Sequence, residues 1–493
     1  MLRCRLAVLV LTVVLTQGQT RARAATPVLD APALAARIDQ LVSRRLAKER
    51  IPPALPADDA EFFRRLSLDL NGRIPSRSQL ADFLDDTRPD KRRLWVDELL
   101  DGPDNAPLYV RHFTHFWRRQ LLAQTPAQPD SVLAPLEGWL GRHVRANTPY
   151  DRLVRGLLTD AGAVGFFLAN ENKPENLASR TSRLLLGVKL ECAQCHDDRS
   201  GGKWKRKQFW EYAAFFAGPG RIRVSGSKTW VEGRFPDGSR PDRRGAVTPR
   251  QALAGWVTRP DNPWFVRAAV NRLWQYFLGV GLIDPVDGLG VEGNAPSHPE
   301  LLDELARQFV THDFDLKYLV RAIVLSRTYQ RSGHQTHPRQ ADPRLFARAA
   351  TRALTPEQVS DSLLLATGYR PDRAKGAADA PRAEFLAPFD DPDNQPVDFQ
   401  ASIQQALVMM NGKFIEEITR SPRSATVAAV IDSKRPRPLA RRVEDLYLAT
   451  LSRKPRPEET RRLLAYVAAG ETKQRLRDIF WSLLNSTEFI LNH

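Results

Sequence analysis

Cys192-Ala193-Gln194-Cys195-His196 places two thiols three residues apart with an imidazole directly after them. Two such thiols can add to the two vinyl groups of one porphyrin while His196 serves as proximal ligand to its iron, which is the attachment pattern of c-type haem. Two other chemistries could use the same residues. A local disulfide between Cys192 and Cys195 suits an oxidising compartment. A zinc-like metal could take Cys192, Cys195, His196 and Asp197 or Asp198, although four ligands in one short loop would be strained. A haem here would have to find its second axial ligand elsewhere in the chain. Met409 and Met410 lie in an apolar stretch expected to be core helix packing, which leaves His112, His115 and His298 as candidates.

Other possible sites are weaker. Gly288-Leu289-Gly290-Val291-Glu292-Gly293 has the glycine spacing of a dinucleotide loop, but no strand precedes it and Asn294-Ala295-Pro296 stands where a helix should open. His112 and His115 share an aromatic segment with Phe113, Phe116 and Trp117, a pattern expected of helix packing. The acidic residues Asp390, Asp391 and Asp393 lack calcium-loop spacing and read as a solvated tip. Trp117, Trp210, Trp264 and Trp274 lie in apolar-patterned stretches and are expected to anchor cores. The chain has no serine nucleophile elbow, zinc-protease motif or phosphate-binding loop, so no catalytic residue can be named and whether it is an enzyme stays open.

The elements that must position the Cys motif are helical. Thr248-Pro249-Arg250-Gln251, Ser297-His298-Pro299-Glu300 and Thr355-Pro356-Glu357-Gln358 each combine an N-cap hydroxyl with Glu or Gln three residues on and a proline in the first turn. Leu301, Leu302, Leu305, Ala306, Phe309 and Val310 fall on one helical face, and Leu316, Leu319, Val320, Ile323 and Val324 on another. Alternating β-branched patterns are almost absent. The expectation is a mainly α protein with at most a small β element, for which Arg221-Ile222-Arg223-Val224 is the candidate. Turn signals crowd the segment from Gly218 to Val247. They predict a helical domain over 25–217 that carries the Cys motif, an irregular linker over 218–247 and a second helical domain over 248–493. The segment from Tyr369 to Asp398 is too long for an ordinary connection.

Arg3 and Arg5, the apolar run Leu6 to Thr16 and Ala22-Arg23-Ala24 read as a signal peptide over 1–24, which predicts an exported protein, periplasmic or extracellular. The leader would remove Cys4, leaving Cys192 and Cys195 as the cysteines of the mature chain, too few for a disulfide scaffold. The formal net charge is +16, and only Arg3, Arg5, Arg21 and Arg23 would leave with the leader, so the remainder is still basic. Basic residues are interspersed with acids and no nucleic-acid motif accompanies them. In an exported protein an anionic polysaccharide, acidic proteins or lipid head groups fit better than nucleic acid, and a merely solvated surface fits the scattered charges better still. The haem reading would add an extracytoplasmic redox partner.

Phe63-Arg64-Arg65-Leu66-Ser67-Leu68-Asp69-Leu70-Asn71-Gly72-Arg73-Ile74-Pro75, Lys173-Pro174-Glu175-Asn176-Leu177-Ala178 and the Cys motif resemble the domain-of-unknown-function family 1549 of secreted bacterial proteins. Asn262-Pro263-Trp264-Phe265-Val266-Arg267, Pro296-Ser297-His298-Pro299-Glu300 and Leu483-Leu484-Asn485-Ser486-Thr487-Glu488-Phe489 resemble its companion family 1553. Larger members of these families often carry a planctomycete cytochrome c module ahead of the pair. The resemblance implies a secreted protein with a cytochrome-like motif and an electron-transfer or redox-accessory role, but no particular reaction. The alternative is a non-redox surface or periplasmic binding protein. The family usually continues His-Asp-His-Pro where this chain has His196-Asp197-Asp198-Arg199, so one imidazole of the pattern is missing.

Overall fold

The computed structural model describes residues 27–122, 128–198, 203–242, 247–369, 409–410, 412–420, 423–431 and 437–493. The expected signal peptide, the Asp390 cluster and most of the Tyr369 to Asp398 segment lie outside them. Helices dominate the described residues, and the strands among them form two two-stranded antiparallel sheets. Arg221–Arg223 (β1) pairs with Trp230–Glu232 (β2), so the small β element is where the sequence placed it.

The first half is built from α1 (Ala31–Glu49), α2 (Asp59–Asn71), α3 (Arg77–Asp85), α4 (Lys91–Asp101), α5 (Ala106–Leu122), α6 (Asp130–Arg145), α7 (Tyr150–Thr159), α8 (Val164–Ala169), α9 (Pro174–Leu186) and α10 (Arg206–Ala213). The caps explain several starts. Asp30, Asp58 and Ser76 each accept a first-turn backbone N–H, and Gln79 completes a capping box with Ser76. Beyond β2 come α11 (Pro249–Val257), α12 (Phe265–Leu278), α13 (Pro299–Thr311), α14 (Leu316–Leu325) and α15 (Pro356–Thr367). Thr248 and Thr355 make the predicted capping boxes. Ser297 does not. The cap of α13 is His298, which makes no side-chain capping bond. Ser297 is held out of that role because its N–H bonds to Leu282 O, its carbonyl accepts from Arg45, and its hydroxyl meets His298 Nδ1.

Two apolar clusters make up the core. The larger runs from Ala31 to Ala347; the smaller joins Leu68 and Ile74 to residues between Leu354 and Phe489. The packing seam therefore does not follow the turn-rich segment. Within that segment Val224, Val231 and Phe235 are buried, and Phe235 stacks on Phe215 at 4.9 Å and on Trp256 at 4.9 Å. The segment that reads as a linker is thus stitched into the core by aromatic rings contributed from both sides of it. Helix α2 serves both clusters: Phe62, Phe63, Leu66 and Leu70 enter the larger and Leu68 the smaller. It is buried all round from Phe62 to Asn71. Among the described residues no helix is long and apolar enough to cross a membrane.

Candidate functional site

The Cys motif sits in a loop between α9 and α10. Gly187 ends α9 with φ of +64°, and a Cβ there would come within 3.3 Å of Ala268 Cβ and Val286 O. The chain then runs beside the glycine-rich segment, where Leu289 N–H donates to Gly187 O at 2.9 Å and Val188 bridges Gly288. Those glycines therefore shape a turn that supports the Cys loop. A single 3-10 turn follows over Glu191–Ala193, with Ala193 buried as its anchor. Cys192 is half-buried, while Cys195 and His196 are exposed.

Four hydrogen bonds fix the loop against α10 and the residues just before it. Gln194 O accepts Trp210 Nε1–H at 3.1 Å and Arg206 Nε–H at 3.3 Å. Asp198 N–H donates to Trp204 O at 2.9 Å, closing the loop. Asp197 accepts the first-turn N–H of Arg206 at 2.9 Å and faces Lys205 at 3.3 Å. The backbone bond from Arg206, then Lys205, holds the Asp197 carboxyl below its ordinary range.

His196 Nδ1 lies 2.8 Å from Asp197 O. A carbonyl only accepts, so Nδ1 carries the proton and Nε2 presents its lone pair. The loop thus offers two free thiols and one open imidazole nitrogen, the donor set that thioether attachment and axial ligation require. The other two chemistries fare differently. The thiols stand unpaired, and among the described residues no group of three or more His, Cys, Asp or Glu side chains could hold a metal ion. Of the two acidic residues that could join a metal, Asp197 turns to Lys205 and Arg206.

The candidate second ligands differ in their surroundings, and His298 Nε2 is buried without a hydrogen-bond partner. His112 Nε2 meets the Tyr276 hydroxyl, which itself donates to Asp69 O at 2.9 Å, so Nε2 must be the donor in that pair. Burial, with His115 nearby, pushes the His112 pKa down to about 3. His115, on the same α5 helix, is lowered chiefly by burial and stands near Glu357 and Arg118. His298 packs against Phe346, and burial followed by Arg45 brings it to about 4. Met409 is buried in the smaller cluster, but Met410 is 47% exposed and is not the core residue its apolar neighbours suggested. Trp117, Trp210 and Trp274 are buried and Trp264 packs partly buried on the larger cluster.

Sequence reading missed the charges behind the loop. Arg183 pairs with Glu191, next to Cys192, and lies 3.5 Å from Asp287. Arg272 bonds Asp287 at 3.0 Å, Arg183 O at 3.1 Å and Gln120 at 2.8 Å. Asp287 directly precedes the glycine-rich segment, so its place beside the Cys loop could be found only once that segment was seen to pair with Val188.

Two family models match. One, PSCyt2, a protein of unknown function (DUF1549), covers residues 37–220, and the other, PSD1, a protein of unknown function (DUF1553), covers residues 249–384. The chain carries both domains. The PSCyt2 match contains α2 and the Cys loop, and the PSD1 match contains Arg272, Asp287 and Gly288, so the loop is braced by the second domain. Both are named as planctomycete cytochrome-associated, and no activity is established for them. No curated protein and no solved structure matches the chain.

Proposed function

We propose that this PSCyt2–PSD1 protein is exported and carries a c-type haem in an electron-transfer or redox-accessory role. Cys192 and Cys195 would hold the porphyrin by thioether bonds, each formed as the S–H adds across a vinyl group, and His196 would ligate through Nε2. The observation that carries the reading is the His196 Nδ1 contact with Asp197 O, which sets the tautomer an axial histidine needs beside two free thiols. When bound, the haem supplies a one-electron redox couple. The chain's own part is positional. Trp210 and Arg206 hold Gln194 between the two thiols, Asp197 O orients the imidazole, and the Arg183–Glu191 pair fixes the entry to the loop.

Met409 is in the core, so no methionine ligand is expected, and the iron would be high-spin or bound by a distant histidine, with His112, His115 and His298 the candidates. Absorption and magnetic circular dichroism of the protein matured in a c-type cytochrome host would test this. A spectrum of either kind that vanishes in Cys195→Ser supports the reading. A methionine-to-iron charge-transfer band would refute the assignment of ligands, and a colourless wild-type protein would refute the haem itself.

A further inference from the structure

The hairpin next to the Cys loop presents a second feature that haem does not use. In the register of β1 and β2, Arg221 faces Glu232, Ile222 faces Val231 and Arg223 faces Trp230. Side chains of one sheet face alternate with the other, so Val231 is buried inward and Arg221, Arg223, Trp230 and Glu232 share the outer face. Trp230 is 60% exposed, more than any other aromatic among the described residues. Its indole is steadied by the Arg221 guanidinium, 5.5 Å from the ring centroid. Arg221 and Arg223 make no ion pair among the described residues, and Lys228 adds an exposed charge at the turn. The hairpin is not a loose arm: Arg206, which also holds Gln194, donates to Ser225 O in its turn.

We infer that this face binds an anionic polysaccharide, with one sugar ring stacked on Trp230 and its carboxylates or sulfates paired with Arg221 and Arg223. A single flat ring flanked by guanidinium groups suits a sugar better than a protein. A protein interface of any strength surrounds its aromatic anchor with further apolar contacts that exclude water, and Trp230 is ringed by charge. Guanidinium forks take carboxylate and sulfate oxygens in pairs, and the indole face supplies the apolar contact. The site does not depend on haem. It would bring the Cys loop to an anionic matrix.

Affinity electrophoresis of the full chain through gels containing alginate, dextran sulfate, neutral dextran or polyglutamate tests this. The expected result is retardation by alginate or dextran sulfate and not by neutral dextran, weakened roughly fivefold or more in Trp230→Ala and in Arg223→Gln. Which of the two polymers retards the chain more tells carboxylate from sulfate recognition. Melting curves confirm that the variants fold, as expected for exposed positions. Two outcomes overturn the inference: no retardation of the wild type, or retardation by polyglutamate and polysaccharide alike that Trp230→Ala leaves unchanged, which would mark a non-specific basic surface or an acidic-protein site.

Discussion

Arg352 directs one guanidinium nitrogen at both carboxylate oxygens of Asp69, at 3.0 and 2.8 Å, with Asp69 only 1% exposed. Tyr329 and Asn492 donate to the same carboxylate at 2.8 Å each, so the charge is fully satisfied. The neighbouring Arg64 and Arg65 are also buried and donate to carbonyls of Thr450, Phe489, Tyr329, Arg331 and His493, while Arg65 pairs in addition with Glu61. The Arg-Arg-x-x-x-Asp run of α2 therefore clamps this helix to residues 329–352 and 450–493. That is why the helix is buried on every side although it carries charge.

Breaking this pair should be costly. Asp69→Ala leaves Arg352 buried without its counter-charge, a loss of about 3–5 kcal/mol. Urea unfolding of Asp69→Ala, Arg352→Met and the double variant should show that the double variant is less damaged than the sum of the singles. Strict additivity would mean that the two residues do not act as a pair.

Acid should weaken the contact between α5 and α15. Burial alone would raise Glu357, but Arg119 and Arg118 override it and hold its pKa at about 2. A depressed carboxyl contributes stability above its unfolded pKa and loses it as pH falls through the folded value. Stability should therefore drop between about pH 4.5 and pH 2, and Glu357→Gln should flatten that part of the melting-temperature curve.

The buried imidazoles act at a higher window. His298 is held neutral, with a folded pKa of about 4 against an ordinary 6.5, by burial first and Arg45 second. The unfolded chain binds the proton more readily, so stability declines as pH falls from about 6.5 to about 4 and is flat above. His112 contributes in the same direction. Replacing His298 with Asn should reduce the slope between pH 6.5 and 4 and leave the Glu357 window unchanged.

Cleavage in the turn-rich segment should not separate the halves. Phe235 stacks on Phe215 and Trp256, and the larger apolar cluster spans both sides. A chain nicked between 218 and 247 is expected to elute as one particle on size exclusion and to part only in denaturant. Separate folded fragments in native buffer would show that the two halves do not share a core.

The helical character and the apolar faces of α13 and α14 could be read from their 3.6-residue period, and the starts of α11 and α15 from their capping boxes. The start of α13 could not, because Ser297 is claimed by Leu282 and Arg45, residues distant in sequence. The same reason hid how the turn-rich segment joins the larger apolar cluster. Turn residues between Gly218 and Val247 signal irregular backbone, but whether Phe235 points outward or between two other rings is a tertiary matter. At the candidate site, the gathering of Cys192, Cys195 and His196 in one loop was legible from spacing. Their support by Gly187, Asp287 and Gly288 was not, since the glycine spacing that drew attention there belongs to a different chemistry.

Covalent haem at the Cys loop would leave a permanent mark on the chain. Its most direct test is the intact mass of the denatured protein produced alongside cytochrome c maturation machinery, with Cys192→Ser and Cys195→Ser in parallel. The expected result is the added mass of one haem on the wild-type chain, retained through denaturation, and no stable adduct on either variant. An unmodified wild-type mass, or one lighter by the two hydrogens of a disulfide, would contradict it.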